Sequence, residues 1–141
     1  MRDRLPLVLC AEDEESDRII LRRAFSKAGI KNPLVVVPDG QEVIDYLSGT
    51  GQYHDRKAHP LPALLILDLK MPRRSGFDVL AWMSGRPELA GIPVVIYSSS
   101  MSEADMRATR QLGVKEYFVK PNDLAEYSKV VRNLYGRWIA K

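Results

Sequence analysis

The sequence has few of the features that define several large classes of protein. It contains one cysteine, Cys10, among 141 residues, so no disulfide can form within the chain, which suits the reducing cytoplasm. No apolar run approaches the ~18 residues of a membrane span, and the first residues, MRDRLP, contain no apolar segment of a secretion signal. The basic residues occur singly or in pairs, with a net charge of +3. We therefore expect a cytoplasmic protein with no membrane partner and no direct contact with nucleic acid.

Negative charge is concentrated in one segment, whereas positive charge is spread along the chain. Five of the six positions from Glu12 to Asp17 are acidic, although the chain as a whole is basic. This acidic segment either binds a cation or caps the start of a helix, where the helix dipole favours carboxylates.

Apolar runs alternate with amphipathic segments along the whole chain. The runs at 6–11, 34–37, 63–67, 94–97 and 116–119 predict five strands, and helical spacing of apolar residues follows each of them. In the last helix the predicted inward-facing residues are Leu124, Tyr127, Val131, Tyr135 and Trp138. Residues 48–62 are predicted to form an extended surface loop in which His54 and His59 are solvated.

This alternation predicts the fold class. We expect one α/β domain over residues 1–141, with a doubly wound, flavodoxin-like sheet of five parallel strands in the order 2-1-3-4-5 and five helices. Ligands bind at the carboxyl edge of such sheets, because the loops diverge there.

Polar residues stand at that edge after four of the five strands. Glu12 and Asp13 follow the first strand, Asp68 the third, Ser98 the fourth and Lys120 the fifth. Three carboxylates at one place repel one another unless a cation lies among them, and ligation by oxygen alone is what Mg²⁺ prefers. Asp68 could then attack phosphorus, with Lys120 as a fixed charge and Ser98 as a hydroxyl donor.

Two other classes use related features. A flavin-binding protein of the same fold needs Ser, Thr or Gly in the loop after the first strand, where this chain has carboxylates. A phosphatase of the haloacid dehalogenase type needs a second acid two residues after its nucleophile, and this chain has Lys70 there.

Four segments resemble bacterial response-regulator receiver domains, which act in two-component signalling. They are residues 8–14 (VLCAEDE), 67–72 (LDLKMP) with Gly76 following, 93–99 (PVVIYSS) and 117–121 (YFVKP). The resemblance implies that Asp68 accepts a phosphoryl group from a sensor histidine kinase. It also implies that Mg²⁺ is held by Glu12, Asp13, Asp68 and the backbone carbonyl of Lys70.

The same resemblance assigns roles to further residues. Lys120 and Ser98, which replaces the commoner Thr, are expected to contact the phosphoryl group, and the Lys120–Pro121 bond is expected to be cis. Ser98 and Tyr117 are expected to form the conformational switch. Lys70 and Ser100 occupy positions that tune the lifetime of the phosphorylated aspartate.

The resemblance also bears on partners and output. Because the resemblance covers nearly the whole chain, we expect no output domain and expect the output to be a protein contact. We also expect a homodimer, paired through the face of helix 4, strand 5 and helix 5 or through the last helix. The long loop and the KMPRR turn look similar to stand-alone regulators of bacterial phytochrome histidine kinases. A degenerate receiver that acts only as a protein-binding scaffold is the alternative.

Overall fold

The computed structural model describes residues 5–140 and contains a five-stranded sheet flanked by helices. All strand pairings are parallel, in the order β2-β1-β3-β4-β5. The strands are β1 Val8–Ala11, β2 Leu34–Val37, β3 Leu64–Leu67, β4 Val94–Ser98 and β5 Glu116–Val119. The helices are α1 Glu15–Lys27, α2 Gly40–Ser48, α3 Gly76–Ser84, α4 Glu103–Gln111 and α5 Leu124–Leu134. Short 3₁₀ turns cover Gly51–Tyr53 and Pro87–Leu89, and a π turn, Tyr135–Ile139, continues α5. The predicted fold class and strand order are confirmed.

The apolar strands form the centre of two cores, one on each face of the sheet. Every residue of β1, β3 and β4 is buried, because helices cover both faces. Helices α2 and α3 pack on one face, and α1 and α5 pack on the other. This layering leaves the carboxyl ends of the strands as the edge from which polar side chains can reach solvent.

The end of the last helix departs from the predicted pattern. The π turn adds one residue to the helical repeat, so Leu134 and Ile139 are the buried positions. Tyr135 and Trp138, which were predicted to point inward, are half-buried. The Trp138 indole Nε1 donates a hydrogen bond to Glu116 Oε2 at 2.7 Å, so a tertiary contact accompanies the extra residue.

Part of the 48–62 loop packs against the end of α2. Tyr53 is buried, and the His59 ring lies edge-on to the rings of Tyr46 and Tyr53, at centroid distances of 5.9 and 5.2 Å. Arg56 donates a hydrogen bond to the Tyr46 carbonyl oxygen at 2.7 Å, which satisfies a carbonyl at the end of α2. His54 is exposed, whereas His59, which was also predicted to be solvated, is half-buried because its aromatic neighbours shelter the ring.

Gly76 begins α3 at a point of close backbone approach. A Cβ atom at this position would lie 2.4 Å from the carbonyl oxygen of Asp68, and that oxygen belongs to the backbone and cannot rotate away. We expect Gly76→Ala to lower the free energy of unfolding by about 2 kcal/mol, in the range of overpacking costs. Chemical denaturation measures the change. The control is Gly91→Ala, whose Cβ would meet nothing within 4 Å, and an equal loss in both variants would contradict the steric explanation.

Asp39 and Arg73 join two loops at the carboxyl edge. Arg73 Nε lies 2.9 Å from Asp39 Oδ2, and Arg73 Nη2 lies 3.2 Å from Oδ1. Burial by itself would raise the pKa of the Asp39 carboxyl, but hydrogen bonds from Arg73 and from the backbone N–H of Glu42 outweigh burial and lower the pKa below 3.8. A carboxyl with a lowered folded-state pKa stabilises the fold above its ordinary pKa and loses that contribution as the pH falls through the folded value.

The stability contributed by Arg73 should therefore depend on pH. We expect Arg73→Gln to destabilise the protein at pH 7 and to differ less from the wild type at pH 3, because the contribution of the Asp39–Arg73 pair is lost as the pH falls through the lowered folded-state pKa of Asp39. Urea unfolding at the two pH values measures this difference. Arg74→Gln removes a neighbouring exposed charge, and its small effect should not follow the titration of Asp39. An Arg73→Gln effect of the same size at both pH values would contradict the assignment.

Candidate functional site

Four strand ends bring a carboxylate cluster and a lysine together. Lys120, which follows β5, places its Nζ 2.8 Å from Glu12 Oε1 and 2.9 Å from Asp68 Oδ2. The Glu12 contact has the geometry of an ion pair and not of a hydrogen bond. Glu12 and Asp68 are both buried, and Ser98, the last residue of β4, accepts the backbone N–H of Lys120 on its carbonyl oxygen at 2.8 Å. These four sequence-predicted residues therefore share one edge of the sheet.

Asp17 also belongs to this cluster and was not predicted as a site residue. Its Oδ2 accepts a hydrogen bond from Lys120 Nζ at 2.9 Å, from the first turn of α1. The acidic segment 12–17 was the sequence feature that indicated such a residue, because a carboxylate in the first turn of α1 lies near the end of β1. Sequence alone did not show which of the five acids faces Lys120.

Three of the carboxylates have the spacing of a metal site. One oxygen each from Glu12, Asp13 and Asp68 lies within 4.8 Å of the other two. Backbone N–H groups hold the two buried members in place, since Leu69 N donates to Asp68 Oδ1 at 2.7 Å and Glu14 N donates to Glu12 Oε2 at 2.9 Å. A donor set made only of carboxylate oxygens fits a hard divalent cation such as Mg²⁺.

The cluster perturbs the protonation of its members. Burial by itself would lower the pKa of Lys120, but the carboxylates of Glu12, Asp17 and Asp68 outweigh burial and raise that pKa above its usual range. Burial raises the pKa of Glu12, while Lys120 and the backbone N–H of Glu14 partly offset that effect. Lys120 is therefore a permanent cation among acids, and ionisable groups perturbed in this way are concentrated at functional sites.

Cys10 and Tyr97 lie beneath the cluster and do not titrate near neutral pH. Burial, with a smaller contribution from Glu12 and Asp68, raises the pKa of the Cys10 thiol. Burial likewise raises the pKa of the Tyr97 hydroxyl, and the Tyr97 ring centroid lies 5.0 Å from Lys120 Nζ. The Cys10 thiol is therefore uncharged near neutral pH and is no candidate nucleophile, because the thiolate is the nucleophilic form.

The residues predicted to form the switch lie around the loop after β4. Ser98 Oγ accepts the backbone N–H of Ser100 at 3.1 Å, and the Tyr117 hydroxyl donates to the Ser100 carbonyl oxygen at 2.9 Å. Ser100 Oγ in turn donates to Asp105 Oδ2 at 2.7 Å, in the first turn of α4. Tyr117 is thus connected to Ser98 through this one loop, and α4 is connected to the same loop.

Two further sequence predictions concern the loops that leave β3 and β5. Lys70 is exposed, two residues after Asp68 and at the start of the turn before α3. The predicted cis Lys120–Pro121 bond is wrong, because no peptide bond among residues 5–140 is cis. The trans form is the lower-energy isomer of most X–Pro bonds, and the long Lys120 side chain reaches Asp68 without the cis geometry.

Known proteins share this fold and cover nearly the whole chain. Response regulator Rcp1 of Synechocystis is 30% identical over 133 residues, which are 94% of this chain and 88% of Rcp1. The crystal structure of the Mn²⁺-bound form of Rcp1 has a TM-score of 0.83 to this chain and covers 95% of it, with 94% of that chain matched.

Two more solved structures are similar. Response regulator RPA3017, in red light signalling of R. palustris, has a TM-score of 0.90 at 35% identity, covering 96% of this chain and 94% of its own. The phosphorylated cyanobacterial phytochrome response regulator RcpA has a TM-score of 0.88 at 29% identity, covering 96% of this chain and 95% of its own.

None of the helices within residues 5–140 is both long and apolar enough to cross a membrane.

The family model gives the same result as these relatives. The model of the response regulator receiver domain matches residues 8–132, which include every strand and the whole carboxylate cluster. The chain belongs to the response regulator receiver domain family, whose members are signalling proteins of two-component systems.

Proposed function

We propose that the protein is a phosphoacceptor that receives a phosphoryl group on Asp68 from a sensor histidine kinase. The observation that carries this proposal is the position of Lys120 Nζ, 2.9 Å from Asp68 Oδ2 within a cluster that also offers three carboxylate oxygens to a metal. An aspartate in this setting is both a nucleophile and the neighbour of a fixed positive charge.

The proposed transfer is a simple displacement at phosphorus. A carboxylate oxygen of Asp68 forms a bond to phosphorus, the bond from phosphorus to the imidazole nitrogen of the kinase breaks, and that nitrogen keeps the electron pair. Lys120 holds a phosphoryl oxygen, and the Ser98 hydroxyl donates to another. When bound, Mg²⁺ neutralises the charge on the transferring oxygens.

Glu12, Asp13, Asp68 and the Lys70 carbonyl are the proposed metal ligands. Glu12 is held by the backbone N–H of Glu14, and Asp68 by the backbone N–H of Leu69. These hydrogen bonds hold two of the three carboxylates in place, with one oxygen from each of the three within 4.8 Å of the others, so the cation would meet a preformed set of hard donors. Water is expected to complete the coordination.

Phosphorylation is proposed to change the loop after β4. If Ser98 Oγ turns to the phosphoryl group, its bond with the Ser100 backbone N–H is lost, and the Ser100 carbonyl that holds Tyr117 can move. The loop also anchors the start of α4 through Asp105, so the change reaches the face formed by α4, β5 and α5. The charge of the phosphoryl group would thereby shift the equilibrium between two arrangements of the loop after β4.

A phytochrome histidine kinase is the proposed partner. The support is that relatives named as phytochrome or red-light response regulators match this chain over at least 95% of its length. A homodimer, through the face of α4, β5 and α5 or through the last helix, is the proposed output. In this account the protein promotes only the phosphorylation and dephosphorylation of its own aspartate, and Lys70 and Ser100 tune the lifetime of the product.

Intact mass with acetyl phosphate as donor tests the proposal. We expect a single adduct of about 80 Da that forms with Mg²⁺ and does not form in excess EDTA. Size-exclusion elution of the same samples reports whether the adduct changes the oligomeric state. A protein that binds Mg²⁺ but gains no adduct from acetyl phosphate or from a phosphorylated phytochrome kinase would support the scaffold alternative.

A further inference from the structure

Hydrogen bonds hold the turn between β3 and α3 at its base and at its tip. At the base, Gly76 N donates to the Leu69 carbonyl oxygen at 2.9 Å. At the tip, Arg73 has a φ of +64°, in the left-handed region, and Gly40 N donates to the Arg74 carbonyl oxygen at 3.1 Å. Lys70, whose carbonyl is a proposed metal ligand, lies between these two held points of the turn.

The tip is held by the start of α2, across the sheet edge. Both oxygens of Asp39 accept from the Arg73 guanidinium, and Asp39 Oδ1 also accepts the backbone N–H of Glu42 at 2.9 Å as the N-cap of α2. A Cβ on Gly40 would lie 2.2 Å from the Arg74 carbonyl oxygen, so the two backbones are in close contact. A planar guanidinium bound to both oxygens of a carboxylate fixes orientation as well as distance.

A second carboxylate links this anchor to the 48–62 loop. Glu42 Oε2 lies 3.6 Å from Arg73 Nη2, and Glu42 Oε1 accepts a hydrogen bond from the hydroxyl of the buried Tyr53 at 2.6 Å. Arg73 therefore pairs with both Asp39 and Glu42, and through Glu42 it is linked to Tyr53, so this network joins two loops to the tip of the turn.

We propose that Arg73 is a positioning residue for the metal site, which it affects by holding the turn that carries the Lys70 carbonyl. This role rests on the proposed function, because it concerns the same Mg²⁺. Backbone donors need fixed positions to ligate a small hard cation, and residues that orient ligands without touching the metal change metal affinity.

Electrostatics and positioning make opposite predictions for the loss of Arg73. Removing a positive charge near the site strengthens cation binding if charge alone matters. Removing the anchor weakens binding if position matters. Arg74 offers a matched control, because it is the adjacent residue, carries the same charge and donates its side-chain hydrogen bond to Gln41, at 3.2 Å, and not to Asp39.

The experiment is Mn²⁺ binding, followed by electron paramagnetic resonance of the free ion, for the wild type and three variants. We expect Arg73→Gln to bind about 10-fold more weakly than the wild type, within the range for residues that orient metal ligands. Arg74→Gln should bind as tightly as the wild type or more tightly. Arg73→Lys, which keeps the charge but not the two-pronged contact, should fall between the wild type and Arg73→Gln.

The double variant Asp39→Asn/Arg73→Gln shows whether the two residues act together. Asn keeps an N-cap oxygen and loses the charge, so the double variant should bind no more weakly than Arg73→Gln alone. Arg73→Gln binding as tightly as Arg74→Gln would overturn the positioning role, and Arg73→Lys provides the same test if the Gln variant does not fold. Absence of Mn²⁺ binding by the wild type would instead overturn the proposed function, and the positioning role with it.

Discussion

Replacement of Asp68 by Asn is expected to abolish phosphorylation. The amide has the size of the carboxylate, so Asn fits the same buried place, but it is a poor nucleophile and contributes no negative charge to the metal. Labelling with acetyl phosphate and Mg²⁺, followed by intact mass, should show no adduct above background.

The matched control for this variant is Asp55→Asn. Asp55 is an exposed acid in the 48–62 loop and accepts the backbone N–H of Lys57 at 3.0 Å, away from the carboxylate cluster. Its variant should label to the same extent as the wild type. Undiminished labelling of Asp68→Asn would refute the assignment of the acceptor.

Replacement of Lys120 by Met is expected to have the largest effect on stability. The variant leaves Glu12 and Asp68 buried beside each other with no cation between them. We expect the free energy of unfolding in metal-free buffer to fall by about 3 kcal/mol, the low end of the cost of breaking a buried ion pair. In the proposed function Mg²⁺ binds the folded state and would replace the lost charge, so it should stabilise this variant more than it stabilises the wild type.

Urea unfolding with EDTA and with saturating Mg²⁺ measures both effects. Lys115→Met removes an exposed lysine immediately before β5 and should change stability little under either condition. A loss for Lys120→Met that is the same with and without Mg²⁺ would contradict the view that the lysine and the cation neutralise the same carboxylates.

The sheet could be predicted from the sequence because its signals are local and mutually consistent. The runs that form β1, β3 and β4 are apolar up to Ser98 at the end of β4, which indicates strands covered on both faces, and β2 and β5 have the predicted bounds. Parallel strands then place their carboxyl ends at one edge, which is why the convergence of Asp68, Glu12 and Lys120 could be foreseen.

The features that sequence could not supply depend on contacts between distant residues. The π turn after α5 shifts the buried position from Trp138 to Ile139 and accompanies a hydrogen bond to Glu116 in β5. Periodicity describes a regular helix and contains no information about that partner. The shelter of His59 likewise depends on two tyrosine rings, one of them outside its own loop.

Asp17 illustrates the same limit inside the site. The acidic segment predicted a bound cation or a helix cap, but the N-cap residue Glu14 makes no capping hydrogen bond through its side chain, and Asp17, in the first turn of α1, pairs with Lys120. Which acid reaches the lysine depends on the angle at which α1 leaves β1. Arg73 was similarly visible only as half of a basic pair, until the fold placed Asp39 within 2.9 Å of it.

The most direct test of the account is to locate the acyl phosphate by chemical reduction. Borohydride converts a phosphorylated aspartate to homoserine, so peptide mapping after labelling with acetyl phosphate and Mg²⁺ should find one position about 14 Da lighter than aspartate. We expect this position to be 68 and the change to be absent without Mg²⁺. Reduction at any other carboxylate, or none in a protein that carries the mass adduct, would contradict it.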